Sequence, residues 1–178
     1  MIYSFFIFVI SCKFFIIINY FIRYLTKLSI PEGFSQGGNK VDDLSVLFVD
    51  DEVGFLETIC KRMKKRNIEV HGVESGEEAL AFLDKDSVDV VVLDVRMKGM
   101  NGLQTLEEIK KQNPLIEVIM LTGHASVEVA IQGMELGAFD YLMKPMNIDE
   151  LLYKLQDAYK KKNIQEEKIK KLGGDIVT

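Results

Sequence analysis

The chain has 178 residues, 48% of them hydrophobic, and a formal net charge of −5. That length gives one domain plus appendages, and the mildly acidic balance excludes a sequence-independent nucleic-acid binder, which needs a basic face. Two cysteines, Cys12 and Cys60, and two histidines, His71 and His124, exclude a disulfide framework and a His/Cys metal cluster and fit a reducing compartment.

Residues 1–28 differ from everything after them: Phe, Ile and Tyr dominate, and Gly, Ala, Pro, Asp and Glu are absent. Three readings compete. As a membrane span, Ile2 to Ile22 is long enough for the roughly 30 Å hydrocarbon layer. Lys13 in its middle costs roughly 2.5–3.5 kcal/mol on insertion scales, which the Phe and Ile content offsets, and Arg23 and Lys27 would hold the C-terminal side in the cytoplasm. As a cleaved signal peptide it lacks a basic start and a small-x-small cleavage site. The third reading is a mis-set start. Phe, Ile, Tyr, Asn and Lys all use A/T-rich codons, as translated upstream DNA would. No second Met occurs before Met63, and Gly37-Gly38-Asn39-Lys40-Val41 can be encoded by a GGAGG-type ribosome site followed closely by GTG. The expectation is a native start at Val41 and a cytoplasmic protein, with an anchor through residues 2–22 on the inner face of the membrane as the alternative. An N-terminal peptide mapping before Val41 would refute the start. Residues 29–43, rich in Ser, Gly, Gln and Asp with Pro31, read as a linker or as part of the same artefact.

From Leu44 the pattern becomes regular. Ser45 to Val49 is a short apolar strand, followed by Asp50-Asp51-Glu52. Val53 to Arg66 has helical spacing, with Phe55, Leu56, Ile59, Cys60 and Met63 on one face. Glu69 to Val73 is a second strand. Ser75 caps a helix from Gly76 to Leu83, and Glu78 completes a capping box. Val88 to Asp94 is the third strand, and its run Val90 to Leu93 suits burial on both faces of a parallel sheet. A loop carrying Gly99 and Gly102 leads into a helix from Gly102 to Gln112, ended before Pro114. Glu117 to Leu121 is the fourth strand, with Thr122 after it, and Ser126 to Leu136 is a helix closed by Gly137. Ala138 to Leu142 is the fifth strand, ending in Met143-Lys144-Pro145, and Asp149 starts a last helix running to at least Lys161. The alternation implies an α/β fold with helices on both faces of a parallel sheet. The common solution is the doubly wound, flavodoxin-like (βα)5 order 2-1-3-4-5.

Functional groups in such sheets gather outside the C-terminal strand ends. Strand one brings Asp50 and Asp51 there, strand three Asp94, strand four Thr122 and strand five Lys144. Three crowded carboxylates repel unless a cation sits among them. Mg²⁺ suits the set, because it uses few carboxylates and keeps several waters. A Lys and a hydroxyl beside a metal-bound Asp are what phosphoryl transfer onto that Asp needs.

Val-Asp-Asp-Glu at 49–52, Leu-Asp-Val-Arg-Met at 93–97, Leu-Thr-Gly-His at 121–124 and Phe-Asp-Tyr-Leu-Met-Lys-Pro at 139–145 occur in order, each at a strand end. Together they resemble the receiver domain of bacterial two-component response regulators, over about Leu44 to Lys162, with wording near Thr122 and Tyr141 like that of nitrogen-regulation-type receivers. The resemblance implies that Asp94 accepts a phosphoryl group from a phosphohistidine on a sensor kinase. It implies Mg²⁺ held by Asp51, Asp94 and the backbone carbonyl of Arg96, with Asp50 helping through water. Thr122 would bind the phosphoryl, Lys144 would pair with one of its oxygens, and the Lys144–Pro145 peptide would be cis. Tyr141 would be the aromatic switch that turns inward with Thr122. The implied partners are a histidine kinase or phosphotransfer protein, a downstream protein target, and a second copy through the fourth helix, fifth strand and fifth helix. The chain would not be an enzyme in the ordinary sense; it would assist its own phosphorylation and dephosphorylation.

The ordinary alternatives are helix capping by Asp50 and Asp51, a solvated Lys144 and a passive edge-strand Tyr141. His124 and Arg96 flank the site, either tuning phosphoryl lifetime or simply exposed. The methionines read as packing, with Met143 and Met146 candidates for a partner surface. Lys98 stands where the family usually has Pro, which frees φ after Asp94. Residues 163–178 read as a charged tail, either a solvated helix extension or a frayed end, too short for an output domain, so the expectation is a stand-alone receiver. A short coiled segment through Ile164, Ile169 and Leu172 lacks a clean heptad. A haloacid-dehalogenase-like phosphatase would want Asp where Arg96 stands. A flavin binder would want a Ser/Thr/Gly phosphate loop where Asp50-Asp51-Glu52 stands. A pseudo-receiver would lack an acidic or Lys position; a phosphorelay intermediate or phosphate sink would share all of them.

Overall fold

The computed structural model describes residues 44–123 and 127–174. The apolar segment, the linker and His124 therefore lie outside the described residues. Five strands alternate with five helices: β1 (Ser45–Val49), α1 (Val53–Lys64), β2 (Glu69–Val73), α2 (Gly76–Leu83), β3 (Val90–Asp94), α3 (Gly102–Gln112), β4 (Glu117–Thr122), α4 (Val127–Glu135), β5 (Asp140–Met143) and α5 (Ile148–Gly174). All neighbouring strands are parallel, in the order β2-β1-β3-β4-β5. This is the flavodoxin-like arrangement the alternation predicts.

The strand residues divide between two cores by the two-residue period of extended chain. Val46, Phe48, Val90, Val92, Ile119 and Leu121 face Leu56, Ile59 and Met63 of α1 and Leu151, Leu155 and Ala158 of α5. Leu47, Val49, Val91, Leu93, Val118 and Met120 face Ala79 and Leu83 of α2 and Leu106 and Ile109 of α3. Each fully buried aliphatic side chain contributes about 1.5–3 kcal/mol, so a rigid sheet fixes where its strand ends point.

Element boundaries shift from the sequence expectation for local reasons. Helix α1 stops at Lys64 instead of Arg66, because Asn67 turns left-handed (φ 58°) and Ile68 N–H returns to the Met63 carbonyl. Strand β3 starts at Val90 instead of Val88. Asp89 takes the first cross-strand bonds, donating to the Ser45 carbonyl and accepting Ser45 N–H on its carboxylate, both at 2.9 Å. Strand β4 extends one residue to Thr122, and β5 begins at Asp140, after Phe139 N–H has bonded the Val118 carbonyl at 2.7 Å.

Helix α5 runs on through the charged segment to Gly174, as a helix extension. Two adjacent lysines clamp this helix to the N-terminal edge of the sheet. Lys161 lies 2.8 Å from the buried Glu117, which also faces Lys110 at 3.6 Å, and Lys162 lies 2.7 Å from Asp89. Beyond them Ile164, Ile169 and Leu172 are exposed. Among the described residues no helix is long and apolar enough to cross a membrane.

Candidate functional site

Four strand ends, those of β1, β3, β4 and β5, deliver carboxylates, a hydroxyl and an ammonium to one crevice. Asp50, directly after β1, is tied to the sheet by its N–H to the Val73 carbonyl (3.1 Å). It is only 1% exposed, accepts Glu52 N–H at 3.0 Å and forms a short ion pair with Lys144. Asp51 beside it is exposed. Capping accounts for little here: Glu52 is the N-cap of α1, and no side chain caps it.

Asp94 ends β3 at 6% exposure. One carboxylate oxygen accepts Arg96 N–H at 3.1 Å, and the other lies 3.7 Å from Lys144 Nζ. Burial pushes its pKa above the usual carboxylate range; Lys144 pulls it back, and the Asp50 charge pushes it up again. Asp50, Asp51 and Asp94 each place a carboxylate oxygen within 4.8 Å of the others. One ammonium among three carboxylates leaves negative charge uncompensated, and a cluster of hard oxygen donors is what a small divalent cation takes.

The Lys144 ammonium stands between Asp50 and Asp94 and 4.5 Å from the centre of the Phe55 ring. The backbone N–H of Lys144 bonds the Thr122 carbonyl at 2.7 Å, and the peptide to Pro145 is cis. Thr122, at the end of β4, is buried. Tyr141 on β5 is buried too, and its side chain hydrogen-bonds Thr122. Burial raises the phenol pKa, the Thr122 bond lowers it, and the Asp94 charge raises it. Tyr141 thus faces inward from the edge strand, against Thr122. The Arg96 side chain is exposed, and its backbone N–H is the part that touches Asp94.

A groove of about 510 Å³ opens beside Lys144, lined by Phe55 and Arg62 of α1 and by Pro145 and Met146. Met143 is half exposed, Met120 is buried in the core facing α2 and α3, and Met146 packs partly against the opposite core, facing α1 and α5.

Sequence reasoning assembled the five charged and hydroxyl groups but missed their supports. Phe55 read as an apolar face residue, not as the ring under Lys144. Lys154, buried and ion-paired with Asp140 on β5, went unnoticed, although it lies between Leu151 and Leu155 on the inward face of α5.

The response regulator receiver domain family matches residues 46–156, so the chain belongs to that family. Phosphorylation on an aspartate is characteristic of its members. The chain is 37% identical over 117 residues to the transcriptional regulatory protein ZraR of Escherichia coli, covering 66% of this chain and 26% of that protein. It is 34% identical over 131 residues to a putative NtrX-like response regulator of Rickettsia felis, covering 72% of this chain and 28% of that one. The structure of a receiver domain protein from Clostridium thermocellum matches 68% of this chain and 98% of its own, with 35% identity and a TM-score of 0.66. The chain spans about a quarter of the length of the curated relatives it matches.

Proposed function

We propose that this chain is a phosphorelay signal receiver that accepts a phosphoryl group on Asp94 from the phosphohistidine of a sensor kinase. The observation that carries this is the buried Asp94 carboxylate, 3.7 Å from the Lys144 ammonium and clustered with Asp50 and Asp51. A carboxylate oxygen of Asp94 attacks phosphorus as the P–N bond breaks. The imidazole nitrogen leaves with the bonding pair and takes up a proton. Lys144 neutralises charge on the equatorial oxygens, and the Thr122 hydroxyl donates to one of them.

Asp50, Asp51 and Asp94 would hold Mg²⁺, with the Arg96 carbonyl as a further ligand. Bound there, the ion would supply positive charge to the transferring group. Such a reaction belongs in the cytoplasm, where a kinase presents its phosphohistidine.

Acceptance then biases a surface. The Thr122–Tyr141 hydrogen bond links the crevice to β5, so drawing Thr122 towards a phosphoryl oxygen selects one packing of Tyr141. The face formed by α4, β5 and α5 is the output surface, for a protein target or for a second copy.

The test incubates the protein with Mg²⁺ and acetyl phosphate and follows intact mass. A single labile phosphoryl adduct, absent in Asp94→Asn and without Mg²⁺, is the expected result. No adduct under any condition would contradict the reading and leave an interaction module that ignores phosphate. A rapidly decaying adduct would favour a relay or sink over a lasting switch.

A further inference from the structure

The first turn of α2 lies against the loop that follows Asp94. Met100 N–H donates to Glu77 Oε1 at 3.0 Å, across 23 residues of sequence. Gly99 sits under the same carboxylate with φ +75°, and a Cβ there would come within 3.0 Å of that oxygen. The neighbouring contact is equally close. A Cβ on Gly76 would fall 2.1 Å from Thr105 Oγ1 and 3.3 Å from Met100 Cβ. Thr105 in turn donates to the Asn101 carbonyl at 2.9 Å.

The loop is pinned at its ends, by Arg96 N–H on Asp94 and by Gly102 N–H on the Val95 carbonyl at 3.0 Å. Between them run Met97, Lys98, Gly99, Met100 and Asn101, with no proline to fix φ. A Glu in the first turn of a helix gains from the helix dipole. Glu77 is exposed there, and one of its oxygens also accepts a charge-assisted hydrogen bond from a backbone N–H outside its own helix.

We propose that Glu77 is a positioning residue for the acceptor site. By holding Met100, its carboxylate restrains the 95–101 loop and so keeps the backbone of Arg96 in place against Asp94. This rests on Asp94 being the acceptor and on the Arg96 carbonyl facing the metal.

The experiment compares wild type, Glu77→Ala and Glu77→Gln as full chains. Amide exchange at Met100 reports the hydrogen bond directly. Mg²⁺ titration, followed by the amide shifts of Asp94 and Arg96, reports the site, alongside the acetyl phosphate rate and thermal unfolding. Glu77→Ala is expected to speed Met100 exchange about tenfold and to weaken Mg²⁺ binding and slow phosphorylation about threefold, with Tm lowered by no more than about 2 °C. Glu77→Gln keeps an acceptor oxygen at the same reach and should stay within about twofold of wild type. Unchanged Met100 exchange in Glu77→Ala would overturn the proposal. So would faster exchange with Mg²⁺ affinity and rate both unmoved. A wild type that takes up neither Mg²⁺ nor phosphoryl would fail the functional reading itself, and that failure is visible before any variant is compared.

Discussion

Asp94 is held in opposed fields. Burial favours its neutral form, while Lys144 favours the carboxylate, and burial is the larger influence. Its pKa in the metal-free fold therefore lies above the unfolded value. The sign follows from linkage: the associated stability is full below the ordinary Asp pKa and is lost as pH rises through the raised one. Asp94→Asn cannot ionise, so without Mg²⁺ it should melt about 2–4 °C higher than wild type at pH 7. The gap should close near pH 3, which thermal melts in a chelator will check. Adding Mg²⁺ should raise the wild-type melting point and leave the variant nearly unmoved. Lys144 acts in the other direction. Lys144→Ala leaves the buried Asp50 without its ammonium partner. It should cost about 3 kcal/mol in urea unfolding and slow acetyl phosphate transfer roughly 100-fold.

Among the elements, the β3–α3 connection and α5 matter most to the site. Gly102 opens α3 directly against the end of β3, and a Cβ there would lie 2.1 Å from the Asp94 carbonyl oxygen. Gly102→Ala must push β3 and α3 apart, with an expected loss of about 2 kcal/mol or more in chemical denaturation. Helix α5 is fastened by Lys154 to Asp140 at the start of β5, level with Ile119, and by Lys161 and Lys162 to Glu117 and Asp89 at the end of the sheet away from the site. Lys154→Ala should destabilise by about 3 kcal/mol, since Asp140 loses its buried partner. The strands were legible because their apolar runs are short and bounded by turn residues. The caps at Ser75 and Asn101 are local chemistry, and the structure has both, though the sequence reading identified only the first. The length of α5 was not legible. Its last turns carry alternating charges that fit a frayed tail equally well, and the clamp is made by Glu117 and Asp89, far away in sequence.

Across the described residues, the cluster of Asp50, Asp51, Asp94 and Lys144 lies at one end of the sheet and the Lys161 and Lys162 ion pairs at the other. Asp50, Asp51, Asp94, Thr122 and Lys144 could be found from sequence because parallel topology sends every strand end to the same edge. Phe55 beside Lys144 and Glu77 on Met100 could not, because each joins two elements through a contact that no spacing encodes. In the proposed switch the coupling from crevice to surface would run through the hydrogen bond between Thr122 and Tyr141. Beryllofluoride with Mg²⁺ should therefore change amide exchange in β4, β5 and the first turns of α5 more than in α1 and β2, and a Tyr141→Ala variant should lose that contrast. The central claim is that Asp94 is the acceptor. The most direct measurement is borohydride reduction of the acetyl phosphate-treated protein, which turns an acyl-phosphorylated aspartate into homoserine, followed by peptide mapping. Homoserine at position 94 alone is the predicted result. Homoserine at position 50 or 51, or at none of the three despite a mass adduct, would contradict it.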